Sequence, residues 1–145
     1  MTLDEHLREW EKDCIIDELN IAHSSARGPI LHAKYLSLLG QAKMQTRAAT
    51  AKYLALKGDK IKYYRGEMTQ KELQDRGWQQ FQGIKPLKSE MNDVLQTDED
   101  MIKQHSRVFY LETMVESLEG IMKSINTRSF DIKNMVEWLK LQAGN

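Results

Sequence analysis

Only two prolines, Pro29 and Pro86, interrupt the 145 residues, so backbone hydrogen bonding within a segment is almost nowhere blocked. The long proline-free stretches are built from Ala, Leu, Met, Lys, Glu and Gln, the residues that lose least on entering a helix. Alternating apolar and polar strand patterns are missing. The chain therefore reads as all-α, with a core limited by its length.

Caps and spacing locate the segments. Thr2 and Glu5 form a capping box, followed by Leu3, Leu7, Trp10 and Cys14 on one face, and the helix can continue or restart from Asp17 to Ala22. A break is expected over residues 23–28. Pro29 suits the first turn of a second helix, where its missing N–H costs nothing. Leu31, Tyr35, Leu38, Ala42, Ala49 and Leu56 then carry the helix to about Lys57, or to Tyr64, with Gly58 leaving its end open.

Residues 67–87 read as a connector with a short helix capped by Thr69. Within it, Trp78 and Phe81 either pin the loop to a core or offer a stacking surface. Ser89 is expected to cap a short helix, and Thr97 or Asp98 a long one. Met101, Val108, Val115 and Met122 then form one seven-residue line, with Gln104, Leu111, Leu118 and Ile125 as its companion. Residues 126–129 are expected to break this helix before a last one carrying Phe130, Ile132, Met135, Val136, Trp138 and Leu139. A helix packed inside its own domain gives a similar but shorter stripe. The length of this one predicts a homo-oligomer built through residues 97–142, with Met101, Val108, Leu111, Val115, Leu118, Met122, Ile125, Ile132, Val136 and Leu139 at the seam. The organisation expected is 1–66, a helical region with a basic helix; 67–87, the connector; and 88–145, an oligomerisation region.

The formal net charge is zero, but the charge is segregated. Residues 1–20 carry −5. Residues 27–65 carry +8, with Asp59 the single acid among Arg27, Lys34, Lys43, Arg47, Lys52, Lys57, Lys60, Lys62 and Arg65. Such a block is either a solvated lysine-rich face or a footprint for a polyanion. The single cysteine, Cys14, excludes an intramolecular disulfide, and His6, His23, His32 and His105 lack ligand spacing, so neither a metal nor another cofactor is expected. The acidic N-terminus is unlike a signal peptide, and no apolar run approaches the ~20 residues of a membrane span. Ser/His/Asp, Cys/His and phosphate-loop arrangements are absent, which argues against an enzyme.

Several short runs resemble the UvsY-type recombination mediators of T-even-like bacteriophages. They are Leu31-His32-Ala33-Lys34-Tyr35-Leu36; the stretch from Lys57-Gly58-Asp59-Lys60 through Tyr63-Tyr64-Arg65-Gly66; Lys88-Ser89-Glu90-Met91 with Asp98-Glu99-Asp100; and Ile125-Asn126-Thr127-Arg128-Ser129-Phe130, continuing to Trp138. Their order and spacing carry the resemblance, which is weakest over residues 67–85. It implies a non-enzymatic protein that binds single-stranded DNA and forms a ring-like or open-barrel homo-oligomer, a hexamer or heptamer. It also implies a helper role in the cytoplasm of the infected host: seating a RecA-like recombinase, UvsX, on DNA coated by the phage single-strand-binding protein. Lys57 and Lys60 match the family's basic pair and rank first as phosphate contacts, with Lys43, Arg47, Lys62 and Arg65 beside them and Tyr63 and Tyr64 as stacking candidates. The competing expectation is a helical scaffold that binds no DNA, although such a protein would more often balance its lysines with glutamates one turn away.

Overall fold

The computed structural model describes residues 1–144, and every regular element in them is helical: α1 (Leu3–Asp13), α2 (Ile21–Ala26), α3 (Gly28–Arg65), α4 (Gln70–Arg76), α5 (Met91–Thr97) and α6 (Glu99–Ala143). None is long and apolar enough to cross a membrane. The chain forms two compact units: Met1–Met44 together with α6 from Glu112 onward, and Gln45–Leu111.

In the first unit, the Thr2–Glu5 capping box starts α1 as expected, each side chain accepting from the other residue's backbone N–H. His6, not Leu7, is the residue α1 buries, and Trp10 meets the Tyr35 ring edge-to-face at 5.4 Å. Tyr35 is fully buried, and its hydroxyl donates to Asp13, which also accepts from Lys34 and Arg27. Burial opposes ionisation of the Asp13 carboxyl, but the bonds from Lys34, Tyr35 and Arg27 outweigh it and hold the group below the usual carboxylate range.

Of two expected breaks, that over residues 23–28 narrows to a turn at Arg27 between α2 and α3, and that over 126–129 is helical throughout. Residues 21–26 form α2, because the Asn20 side chain caps it and Ser24 turns inward, where its hydroxyl accepts from the Asp17 N–H. Residues 126–129 do not interrupt α6. The Thr127 hydroxyl bonds back to the Ser124 carbonyl within the helix. Arg128, 4% exposed, turns inward and donates to the carbonyls of Cys14, Ile15 and Ser24 at 2.9, 3.3 and 3.4 Å. These charge-assisted bonds satisfy the irregular backbone between α1 and α2, and that tertiary gain exceeds the weak helix propensity of Asn, Thr and Ser. Arg128→Met is expected to cost about 2 kcal/mol, since hydrogen bonds to a charged group contribute ~1.5–3 kcal/mol. Urea unfolding measures the loss, and faster thiol modification of the adjacent Cys14 localises it.

The second unit begins within α3, which runs through Gly58 to Arg65. It ends in a turn that requires positive φ at Gly66 (+71°), with the Gly66 N–H donating to Tyr63 and the Glu67 N–H to Lys62. Thr69 and Glu72 make a second capping box for α4, and Gly77 (φ +73°) closes it with the same pair of bonds. Ser89 does not cap α5: Glu90 occupies that place and gives no side-chain bond. Asp98 does cap α6, accepting from the Met101 N–H at 3.0 Å.

The apolar lines of α6 are spent largely inside the chain. Met101, Leu111, Leu118, Met122, Ile125 and Ile132 are buried within the protomer, while Val108, Val115, Val136 and Leu139 are half-buried. They pack in the same units as the inward residues of α3, which include Leu31, Tyr35, Leu39 and Ala42 in the first and Ala49 and Leu56 in the second. A heptad line meant for a partner subunit is thus mainly protomer core. The bulky residues that α6 turns outward in the first unit include Phe130 and Trp138, 66% and 59% exposed.

Candidate nucleic-acid interface

The basic half of α3 in the second unit divides its cations between two environments. Lys60 lies on the inward line, because it follows Leu56 by four residues and Ala49 by eleven. It is 5% exposed, and its ammonium sits 3.1 Å from Asp98 Oδ2 and 2.9 Å from Asp100 Oδ2. It also lies over the Trp78 ring, 4.1 Å from the centroid. Tyr64 donates its hydroxyl to the same Asp98 oxygen at 2.6 Å.

Burial pushes the Tyr64 hydroxyl up, and the bond to Asp98 and that residue's charge add to the effect, so the phenol keeps its proton. For Asp98, burial alone would raise the carboxyl pKa. The bonds from Tyr64, the Met101 N–H and Lys60 overcome that and hold it below the usual range. The rings of Tyr63, Tyr64, Trp78 and Phe81 close around this network with centroid separations of 5.0–5.6 Å. Trp78 and Phe81 therefore pin the connector onto the end of α3. Both tyrosines are half-buried, and both are engaged in this cluster.

The outward candidates are different. Arg47 and Arg65 are exposed, Lys57 is half-exposed, and none of the three has an ion pair among the described residues. Eighteen residues separate Arg47 from Arg65, a whole number of helical turns, so they lie on one line about 27 Å apart, with Lys57 about 80° round the helix. Lys62 is half-committed to Glu72 at 3.2 Å. In the first unit, Lys43 lies 3.7 Å from Glu119, both side chains about half exposed. The second unit thus presents a ridge of solvated cations on α3, stiffened from beneath by a buried ion-pair and aromatic cluster. Such a ridge can bind a flexible polyanion through counterion release, without reading bases.

Residues 9–145 match the family described as recombination, repair and single-stranded-DNA-binding protein UvsY. The chain belongs to the UvsY family. It is 28% identical to the recombination protein uvsY of Enterobacteria phage T4, over 99% of both chains. Its fold is similar to crystal structures of the bacteriophage T4 recombination mediator protein UvsY: one at TM-score 0.84 and 24% identity, covering 99% of this chain and 98% of that one, and another at 0.79 and 21%, covering 98% and 99%. The family is thus described by recombination, repair and single-stranded-DNA binding, and no group of His, Cys, Asp and Glu among the described residues could hold a metal ion.

The sequence ranks Lys57 and Lys60 together, and they stand only about 60° apart round α3, yet Lys57 is half-exposed on the flank while Lys60 is buried. The signal that separates them is the four-residue spacing of Lys60 from Leu56, on the inward line, and its pairing with the distant Asp98 and Asp100.

Proposed function

We propose that this protein is a recombination mediator that binds single-stranded DNA and helps seat a RecA-like recombinase of the UvsX type on strands coated by the phage single-strand-binding protein, in the cytoplasm of the infected host. The observation that carries the DNA-binding part is the outward ridge of Arg47, Lys57 and Arg65 on α3, within a segment of net charge +8 and beside the half-committed Lys62. Tyr63 and Tyr64 serve chiefly to build the cluster beneath the ridge. Lys60 acts by holding that cluster, and Lys43 adds a further weakly paired cation elsewhere on the helix.

One protomer offers few cations, so grip requires repetition. A ring of six or seven copies, as the family resemblance implies, lets one strand engage several ridges at once, and the linked contacts add as effective concentration. Self-association is assigned to the second half of α6, where Phe130 and Trp138 point outward beside half-buried Val136 and Leu139.

Binding of fluorescent oligo-dT across a salt series tests this reading. Affinity should fall with salt and rise with oligonucleotide length. Lys57→Ala with Arg65→Ala should make the salt slope shallower by about 1.4, at ~0.7 per phosphate contact, with the unfolding midpoint unchanged. Binding that is absent, or insensitive to length and salt, would leave a DNA-free scaffold as the better account.

A further inference from the structure

We infer that a second stretch of the same single strand lies in a cationic groove between α3 and α6 in the second unit, on the flank of α3 opposite the ridge. This rests on the reading that the protein binds single-stranded DNA. Two adjoining cavities of about 400 and 410 Å³ share Gln104 and Arg107 and so form one groove. Lys52 and Gln45 line it from α3; Lys103, Gln104 and Arg107 line it from α6; Arg76 and Trp78 close one end.

The charges in this groove are mostly available. Lys52, Lys103 and Arg107 are exposed and make no ion pair among the described residues. Arg76 is held by Asp59 at 2.8 Å. The one carboxylate in the lining, Asp100, shares the single Lys60 ammonium with Asp98, so part of its charge remains against the three free cations. By helix geometry Lys52 lies about 140° round α3 from each of Arg47, Lys57 and Arg65, so the groove is a separate surface rather than an extension of the ridge. Lys103 and Arg107 are one turn apart, about 6 Å along the helix. With Lys52 on the facing wall, a phosphodiester backbone lying along the groove meets cations on both sides. At the closed end Trp78 is half-buried, with Lys60 over its ring at 4.1 Å and Arg76 at 5.5 Å, and the part of the indole that lines the groove is what it offers a base. Cationic walls joined to an aromatic end favour a polynucleotide over an acidic polypeptide, which would use the charge but not the ring.

The test uses the full-length protein and two independent variants, Lys103→Glu with Arg107→Glu on α6 and Lys52→Glu on α3. All three positions are solvent-facing, so folding, checked by circular dichroism and urea midpoint, should be retained. Each variant should weaken oligo-dT binding, the double variant on the order of tenfold at fixed low salt, with a salt slope shallower by about 1.4. The number of nucleotides occluded per protomer should also fall. An oligonucleotide carrying 5-iodo-deoxyuridine should photo-crosslink to Trp78. If both variants bind like wild type while Lys57→Ala with Arg65→Ala binds weakly, the groove inference is overturned and the ridge stands. If wild type itself ignores oligo-dT, the underlying DNA-binding reading fails instead. Lost occlusion without a crosslink at Trp78 would overturn the stacking part.

Discussion

Lys60→Met is expected to destabilise the protein by about 3–5 kcal/mol, because removing one partner of a buried ion pair leaves the other charge uncompensated. The Lys60 and Asp98 side chains are 7% and 5% exposed, so neither can be rescued by water without opening the cluster. A loss of that size is a large share of the ~5–15 kcal/mol that holds a typical domain together. Asp98→Asn in the Lys60→Met background should recover part of the loss, since it removes the orphaned charge while keeping the shape. Urea denaturation of the two single variants and the double variant, as a cycle, measures the coupling.

The same pair sets an acid limb. The native Asp98 carboxyl titrates below its unfolded value, so its contribution is complete above about pH 4, the ordinary carboxylate value, and is lost as pH falls through the lowered native value. Asp98→Asn should flatten that limb, although Asp13, also held low, will keep some of it. A second consequence separates Lys60 from its neighbour. At temperatures where Lys60→Met remains folded, its salt slope for oligo-dT should match that of wild type, whereas losing Lys57 should lower the slope by ~0.7. An equal fall in both slopes would mean that Lys60 reaches DNA directly.

Leu118→Ala is expected to cost about 2–5 kcal/mol, the range for truncating a fully buried leucine. Leu118 is 0% exposed, and in its unit it packs in the core built by α3 and α6. Leu118→Asp, which buries an unpaired carboxylate there, should leave the chain unfolded. Smaller species in light scattering from that variant would therefore report a lost fold rather than a lost interface. Trp138→Lys is the informative partner experiment: its side chain is outward, so the urea midpoint should hold while the assembled mass falls. A folded Leu118→Asp protein of reduced mass would place Leu118 at a subunit contact instead.

Much of the architecture was legible from local chemistry. The Thr2–Glu5 capping box, the Thr69 cap, Asp98 as one of two candidate caps, the start of α3 beside Pro29 and the all-helical class follow from side chains acting on backbone within four residues. The charge block was equally plain, because net charge needs no fold to be counted. The break expected over residues 23–28 shrinks to a turn at Arg27 and the one over 126–129 is absent, because helicity there is enforced from outside the segment, by Ser24 binding the backbone of Asp17 and by Arg128 binding carbonyls more than a hundred residues away.

What the sequence determined by itself is a set of helices with apolar lines and a cationic α3. What the tertiary structure alone decided is which face of each helix meets which partner. Periodicity marks a stripe as apolar without saying whether another helix of the same chain or of a neighbour will cover it, and α6 uses most of its stripe internally. Likewise Lys57 and Lys60 are three residues apart and chemically alike. Only the arrival of Asp98, Asp100 and Trp78 from distant parts of the chain makes it favourable to bury one ammonium while the other stays in water.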